Sequence, residues 1–194
     1  IKTLYDARAT LGLDTVQQFL VERYYKDFVR AGALLSDADK SKLRALNEEE
    51  SRLSTGFQIR LLAATKAGAL VLSDKAELAG MSEGDITAAA DAAKERKLAG
   101  QWVLPLQNTT QQPYQVSLAN RAVRERLYRA STERAERGDS NDTRALVVRL
   151  AALRADRAKL LGFPSIAAWV LDDQMAKTPA RALKLLTDMV PAIN

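Results

Sequence analysis

The side chains that most often perform catalysis or bind metal ions are scarce in this sequence. It contains no histidine and no cysteine, which excludes Ser-His-Asp and Cys-His pairs and zinc sites with imidazole or thiolate ligands. Ser165 has no base to activate it, and its position after Pro164 is typical of a helix N-cap. Asp172 and Asp173 are adjacent carboxylates, but neighbours on a helix point about 100° apart, which favours two solvated side chains over a chelating pair. We therefore predict no catalytic, cofactor-binding or metal-binding residue in this chain.

A polar segment between Leu106 and Pro113 is the best candidate for contact with a peptide. Its sequence, Gln-Asn-Thr-Thr-Gln-Gln, predicts a loop from 108 to 113. Amide side chains both donate and accept hydrogen bonds, so they match an extended peptide backbone. The same residues are ordinary in connections between elements, and this simpler interpretation is favoured. The predicted contact residues are Asn108, Thr109, Gln111 and Gln112.

Residues 120–160 carry the whole excess of positive charge. They hold 11 Lys and Arg residues against 6 Asp and Glu, whereas the rest of the chain has 18 of each, so the net charge is +5. A basic helical arm of this kind could bind nucleic acid phosphates or an acidic partner. However, cations and anions alternate at helical spacing, as in Glu125 with Arg129 and Glu133 with Arg137. This pattern favours a solvated helix with internal ion pairs.

Capping residues and apolar periodicity predict a series of helices, which position the polar segment and the basic arm. Asp14 with Gln17 begins a helix that ends near Gly32, and the helix after residue 120 is predicted to run to about Arg137. Gly162 allows a left-handed backbone at the end of another helix. The predicted N-caps are Asp14, Ser36, Ser82, Asn120, Asp142, Ser165 and Thr178, the last followed by Pro179 at the first helical position.

Two short apolar runs interrupt the helical pattern. Residues 69–72 read Ala-Leu-Val-Leu and residues 102–105 read Trp-Val-Leu-Pro, which predicts a short antiparallel pair of strands. Between them lies an alanine-rich helix, predicted from 86 to about 97 and closed by Gly100. The segment 69–105 is therefore expected to be a strand-helix-strand insert.

Composition and element order predict a mainly α fold. The chain of 194 residues is 47% hydrophobic and has only nine Gly and five Pro, which suits a compact body with a core of its own. No internal repeat of fixed period is present, so a helical solenoid is not favoured. We expect a single multi-helix lobe over residues 1–194 that carries the small insert.

Glu50 interrupts the apolar stripe of the second predicted helix. A carboxylate at such a position makes a buried polar contact, faces a channel or lies at an exposed edge. Because Glu48 and Glu49 precede it and runs of acidic residues are usually solvated, the exposed edge is favoured. The stripe consists of Leu43, Leu46, Leu53, Phe57, Leu61 and Ala64.

Several separated segments resemble, in order, the sequence of one enzyme family. They occur near the start of the chain, around the polar segment, along the basic arm and, most distinctively, before and after Trp169. The segments are Tyr24–Arg30, Leu106–Pro113, Arg121–Ala130, Arg134–Asp139, Asn141–Arg144, Leu160–Ser165 and Asp173–Pro179. Over nearly the whole chain the sequence is similar to the thimet oligopeptidase family of zinc metallopeptidases. The last segment resembles the bacterial peptidyl-dipeptidases, or dipeptidyl carboxypeptidases, more than the general oligopeptidases.

The resemblance implies a mostly helical, clam-shaped enzyme whose two lobes flank a deep channel. It also implies a zinc ion held by a His-Glu-x-x-His helix and a downstream glutamate, and release of dipeptides from the C-terminus of unblocked oligopeptides. None of these ligands has a counterpart in a sequence without histidine. The resemblance therefore implies an N-terminal-side helical fragment that is inactive alone, with zinc bound elsewhere in the full-length protein.

Such a fragment would supply a wall of the channel and part of the packing that holds the lobes together. Its expected partners are the catalytic remainder of the same polypeptide and, in the complete enzyme, an oligopeptide substrate, with no membrane and no nucleic acid. We expect the chain to continue beyond Asn194, and the isolated chain to expose apolar surface and self-associate. The expected compartment is the cytoplasm, with the periplasm as the alternative.

Two functions of other classes also fit parts of the sequence. A stand-alone helical interaction module would hold a partner helix in an exposed apolar groove, and its reading frame would end near Asn194. A nucleic-acid-binding module would use the basic arm at 120–160, and its affinity would fall steeply with salt. The peptidase hypothesis instead predicts a zinc-binding helix further along the same polypeptide.

Overall fold

The computed structural model describes residues 1–193, which form nine α-helices and one two-stranded antiparallel sheet. The predicted mainly α class with a small strand-containing insert is therefore confirmed. The helices are α1 (Lys2–Ala7), α2 (Thr15–Arg30), α3 (Asp37–Ala67), α4 (Glu83–Glu95), α5 (Asn108–Ser117), α6 (Arg121–Thr132), α7 (Arg144–Leu160), α8 (Ile166–Leu171) and α9 (Pro179–Ile193); the strands are β1 (Leu70–Leu72) and β2 (Trp102–Leu104).

Side-chain caps begin most of these helices where the sequence predicts them. At the start of α2, Asp14 Oδ1 accepts a hydrogen bond from the Gln17 amide at 2.8 Å, and Gln17 Oε1 accepts one from the Asp14 amide at 3.1 Å. Before α9, the Thr178 hydroxyl accepts from the Arg181 amide at 3.3 Å. Each cap satisfies a backbone donor that has no partner within the first turn. Comparable caps are made by Ser36, Ser82, Asn120 and Ser165.

The described chain divides into two compact units. The first contains residues 1–52 and 149–193, and the second contains Leu53–Val148. The single lobe expected over residues 1–194 stays a prediction, because compactness within one chain does not define the lobes of a longer protein.

The second unit is built around a continuous apolar core. Strands β1 and β2 pair with Leu70 opposite Leu104 and Leu72 opposite Trp102, and α4 packs against β2. The order strand, helix, strand is the one that the two apolar runs of the sequence predict. Burial of each large aliphatic side chain stabilises the fold by about 1.5–3 kcal/mol. The core includes Leu72, Leu78, Leu104, Leu106, Leu118, Val123 and Leu127.

The first unit buries far fewer of its apolar side chains. None of the residues of α1, α2, α8 and α9 that the structure describes is buried. The expected exposed apolar surface is therefore observed here, whereas self-association stays a prediction. No helix within residues 1–193 combines the length and the apolar character that a membrane crossing requires. The exposed apolar side chains of α2 and α9 are Val16, Phe19, Leu20, Tyr24, Phe28, Leu183, Leu185, Leu186, Met189, Val190 and Ile193.

The end of α4 differs from the prediction. The residue with a left-handed backbone that closes the helix is Lys97, with φ 61°, rather than Gly100. The Leu98 amide donates to the Ala93 carbonyl oxygen at 2.9 Å, and Leu98 packs against the buried cluster of Ala69, Ala93 and Val103. This is the hydrogen bond of a Schellman motif, in which the left-handed position usually belongs to glycine. Lys97 adopts that backbone because the packing of Leu98 fixes the turn.

Lys97→Gly is expected to raise the free energy of unfolding by about 0.5–1 kcal/mol. Glycine adopts a positive φ without the steric cost that a Cβ imposes, and the Lys97 side chain is exposed. Urea unfolding followed by circular dichroism measures the difference. Lys97→Ala is the control, because it removes the charge but keeps the Cβ. An equal gain from both variants would contradict the backbone explanation.

Helix α6 is shorter than predicted, because it ends at Thr132 rather than near Arg137. Ala135 has a left-handed backbone with φ 65°, so Glu133 and Arg137 are not one helical turn apart. Glu133 consequently lies 3.7 Å from Arg129 rather than pairing with Arg137 as predicted. Arg137 instead donates to a backbone carbonyl of α6 at 3.1 Å.

Candidate functional site

The segment with the predicted contact residues is helical, so the prediction of a loop from 108 to 113 is wrong. It forms the first part of α5, although Pro113 lies inside this helix. The helix forms because one of its sides is buried in the second unit, where Gln111 and Tyr114 lie three residues apart and both face the interior. Packing of that side outweighs the low helix propensity of Asn, Thr and Pro.

Helix α5 separates the four predicted contact residues into two groups. Asn108, Thr109 and Gln112 are exposed, whereas Gln111 is buried with 7% of its surface accessible. A rotation of about 100° per residue accounts for this, because it brings positions 108 and 112 to one side and turns 111 away. Three amide or hydroxyl groups therefore share one surface, and their contact with a substrate stays a prediction.

A cleft of about 340 Å³ lies in the second unit beside the start of α5. Arg96 is held there by donation to the Lys66 carbonyl oxygen at 2.8 Å, and the lining also includes Lys66, the Glu95 carboxylate and the Gln107 amide, which can form hydrogen bonds. Gln107 belongs to the polar run but was not among the predicted contact residues. The lining residues are Leu62, Thr65, Lys66, Glu95, Arg96, Pro105, Leu106 and Gln107.

A second cleft, of about 610 Å³, lies in the first unit along α3. Its lining includes the apolar side chains of Phe28 and Leu43 and a stripe of polar residues on α3. Apolar lining with a few hydrogen-bonding groups is the usual composition of a ligand-binding cleft. Sequence analysis missed this stripe, although its spacing of 4, 3, 1 and 3 residues was the available signal. The stripe consists of Lys40, Arg44, Asn47, Glu48 and Ser51.

Asp172 and Asp173 are ion-paired rather than arranged around a metal. Asp173 accepts two hydrogen bonds from Arg23, at 2.7 and 2.8 Å, and Asp172 accepts one from Arg30 at 2.7 Å. Among residues 1–193, no group of three or more Asp, Glu, His or Cys side chains could hold a metal ion. Without imidazole or thiolate groups in the sequence, these residues do not fit a zinc site.

Glu50 makes a largely buried polar contact, so the favoured interpretation of an exposed edge is wrong. Its side chain is only 16% exposed, and its Oε1 accepts from Arg154 Nε at 2.9 Å while its Oε2 accepts from Arg157 Nη1. The Arg157 guanidinium also lies 5.0 Å from the centroid of the Trp169 ring, within the range of a cation–π interaction. This cluster ties α3, α7 and α8 together within the first unit.

Most arginines of the basic arm at 120–160 have partners inside the protein. The predicted pair of Glu125 with Arg129 forms at 3.0 Å. Arg124 and Arg134 donate to backbone carbonyls at 2.7 and 2.6 Å. Such pairing favours a solvated helical face over a surface for nucleic acid phosphates. The other ion pairs of the arm are Arg126–Glu77, Arg144–Asp142, Arg149–Glu49, Arg154–Glu50 and Arg157–Glu50.

Asp142 is expected to make the stability of the protein depend on pH in the acid range. The Arg144 side chain donates to its carboxylate at 2.5 Å, and the amides of Arg144 and Gly138 donate at 3.0 and 2.8 Å. These bonds, those of the Arg144 side chain above all, hold the pKa of Asp142 well below its usual value. A carboxyl group whose pKa is lower in the folded state stabilises the protein above its unfolded-state pKa of about 3.9 and loses that contribution as the pH falls further.

We therefore expect Asp142→Asn to lower the Tm at neutral pH and to reduce the loss of Tm between about pH 4 and pH 2. Thermal unfolding followed by circular dichroism at several pH values measures both effects. If the Asp142→Asn variant showed the same dependence of Tm on pH as the unsubstituted chain, Asp142 would not be the source of the acid-range pH dependence.

Comparison with known proteins identifies one family. The sequence pattern of peptidase family M3 matches residues 115–194. A dipeptidyl carboxypeptidase of Escherichia coli (strain K12) is 50% identical over 192 residues, which are 99% of this chain and 28% of that relative. A dipeptidyl carboxypeptidase of Salmonella typhimurium (strain LT2) is 48% identical over 191 residues, again 28% of its length. Oligopeptidase A of Escherichia coli is 32% identical over 181 residues, 91% of this chain and 26% of that relative.

These similarities extend along the whole chain and confirm the predicted resemblance. The chain spans just over a quarter of the length of the dipeptidyl carboxypeptidases that it matches. Its identity to them exceeds its identity to oligopeptidase A by 16 to 18 percentage points, which agrees with the resemblance of its last segments to peptidyl-dipeptidases. Residues 115–194 thus match peptidase family M3, and over nearly its whole length the chain is more similar to dipeptidyl carboxypeptidases than to oligopeptidase A.

Proposed function

We propose that this chain is the non-catalytic helical portion of a zinc metallopeptidase that releases dipeptides from the C-terminus of oligopeptides. One observation carries the proposal: half of the residues are identical to a dipeptidyl carboxypeptidase over 192 positions, which are only 28% of that relative. Because the sequence has no histidine, the zinc ligands and the group that activates water would lie in another part of the same polypeptide.

In this proposal the chain supplies a wall of the substrate channel. The cleft along α3 and the cleft beside α5 support that role, because each combines apolar side chains with hydrogen-bonding groups. Asn108, Thr109 and Gln112, on the exposed side of α5, would bond to the backbone of an extended oligopeptide. Their substitution would then weaken substrate binding without removing the catalytic groups.

The chain would also take part in the packing that holds the enzyme together. The exposed apolar side chains of the first unit support this role, because soluble proteins rarely leave large contiguous apolar patches facing water. The paired arginines of the arm at 120–160 favour this role over nucleic acid binding.

The test uses the longer polypeptide encoded by the same reading frame and two peptides of identical sequence. One peptide has a free C-terminal carboxylate and the other is amidated. We expect mass spectrometry to detect dipeptides released stepwise from the free peptide and none from the amidated one, and no release from either peptide by the present chain alone. Internal cleavage of both peptides would indicate an oligopeptidase instead. Hydrolysis by the present chain alone would contradict the proposal.

The same proposal assigns the enzyme to the cytoplasm, with the periplasm as the alternative. Dipeptide release from small peptides suits either compartment, since both contain free oligopeptides. Fractionation of the source cells, with detection of this chain by antibody, distinguishes the two locations.

A further inference from the structure

Helix α9 divides into an apolar side and a polar side. Its apolar residues recur at spacings of three and four, which keeps them on one side of the helix. On the other side, Lys184 and Asp188 form an ion pair at 2.7 Å, and Thr187 Oγ1 donates to a backbone carbonyl at 3.1 Å. The charged groups thus satisfy one another away from the apolar residues. The α9 face consists of Leu183, Leu185, Leu186, Met189, Val190 and Ile193.

The α9 face is uncovered in the part of the chain that the structure describes. Each of its six side chains is at least half exposed, and the described helix contains no buried residue. An isolated helix of about 15 residues is marginal in water and usually depends on packing of its apolar side. A contiguous apolar patch of this kind marks a contact surface.

We propose that the α9 face is the docking surface for the part of the longer peptidase M3 polypeptide that lies outside this chain. This inference rests on the proposed function. The family match covers residues 115–194 and so includes α9, while the aligned region is only 28% of each dipeptidyl carboxypeptidase relative. The covering surface would therefore come from the remaining length of such a protein.

The chemistry of α9 favours an apolar protein surface as the occupant. Helices that lie on membranes typically carry many Lys and Arg side chains on their polar side. The polar side of α9 has only Arg181 and Lys184, and Asp188 neutralises the second of them. An uncharged apolar side opposite a polar side with internal ion pairs is instead the pattern of a helix that packs its apolar side against a protein core and exposes its polar side to solvent.

The absence of cysteine from the sequence permits a direct test by thiol labelling. Leu186→Cys places a thiol on the α9 face, and Thr187→Cys is the matched control, because position 187 points about 100° away, toward the polar side. Each substitution is made in the present chain and in the longer polypeptide, and the modified peptide is identified by mass spectrometry. In the present chain, at a dilution where it is monomeric, we expect both cysteines to react at similar rates. In the longer polypeptide, Cys at 186 is expected to react roughly tenfold or more slowly than Cys at 187.

Equal labelling at both positions in the longer polypeptide would overturn the inference. Leu183→Cys is a second probe of the same face, and circular dichroism verifies that each variant is folded. Protection in the longer polypeptide that disappears on dilution would identify a second copy as the occupant, and protection only with phosphatidylcholine–phosphatidylglycerol vesicles would identify a lipid surface; either result also overturns the inference. Dipeptide release by a polypeptide with a reactive thiol at 186 would reject the docking surface and leave the proposed function intact. Absence of dipeptide release from the unsubstituted polypeptide would reject the proposed function.

Discussion

Gly80→Ala is expected to destabilise the second unit by about 3 kcal/mol or more. Gly80 has a left-handed backbone with φ +93°, and a Cβ at this position would lie 2.2 Å from the Ser117 carbonyl oxygen and 2.9 Å from the Ala119 nitrogen. Both contacts are with backbone atoms, which cannot move aside as a flexible side chain can. A left-handed backbone alone costs a residue with a Cβ about 1–2 kcal/mol, and overpacking adds typically 1–3 kcal/mol.

The steric effect can be separated from the backbone effect with a second glycine. Gly100 also has a left-handed backbone, with φ +84°, but a Cβ there would meet nothing within 4 Å. Gly100→Ala should therefore cost only the backbone term of about 1–2 kcal/mol. Guanidinium chloride unfolding followed by circular dichroism compares the two variants. The Ala119 amide also donates to the Ala79 carbonyl oxygen at 2.7 Å, which holds the two backbone segments close together at Gly80. Similar losses of stability in the two variants would contradict a steric effect of this close approach.

Glu50→Gln is expected to reduce the free energy of unfolding by about 2–3 kcal/mol. The carboxylate bridges Arg154 and Arg157, and the side chains of Glu50 and Arg157 are only 16% and 18% exposed. Loss of the negative charge leaves the Arg157 guanidinium without its countercharge in a poorly solvated position. Breaking a buried ion pair costs about 3–5 kcal/mol, and partial exposure together with the remaining amide oxygen reduces that figure.

The neighbouring glutamate provides the matched control. Glu49 pairs with Arg149 at 2.7 Å, but Arg149 is about half exposed, and exposed pairs contribute about 0–1 kcal/mol. Glu49→Gln should therefore cost clearly less than Glu50→Gln, although it removes the same charge from the adjacent position of α3. Chemical unfolding of both variants in the same buffer measures the difference. Equal costs would show that the Glu50 cluster is as well solvated as its neighbour.

Helix starts could be predicted from the sequence because their causes are local. The capping box of Asp14 and Gln17 and the cap of Ser82 each lie within four consecutive residues, so a short window contains the whole interaction. The strands at 70–72 and 102–104 were also predictable, because two apolar runs of strand-forming residues stand out from a helical background.

Features that depend on distant packing could not be predicted in the same way. Glu50 belongs to an acidic run, and its arginine partners lie more than 100 residues further along the chain. The turn at Lys97 uses a residue that rarely adopts a positive φ, because the packing of Leu98 against the cluster that contains Ala93 overrides that preference. Helix α5 forms around Pro113 for a similar reason, since its buried side fixes the backbone.

The candidate site was predictable only in part. The family resemblance was predictable from several separated segments, and the comparisons confirm that resemblance. The polar run drew attention to the start of α5, but periodicity could not be applied to a segment interpreted as a loop. The separation of Gln111 from Asn108, Thr109 and Gln112 was therefore missed. The polar stripe of α3 was missed because its residues are individually ordinary for a solvated helix.

Sequencing of the source reading frame beyond residue 194 tests the assignment of this chain to the non-catalytic part of a zinc peptidase. We expect a continuous reading frame that encodes a His-Glu-x-x-His helix and a glutamate on a following helix, because this chain has no histidine and corresponds to 28% of its dipeptidyl carboxypeptidase relatives. A stop codon close to residue 194, with no zinc-binding helix encoded in the same frame, would contradict the assignment.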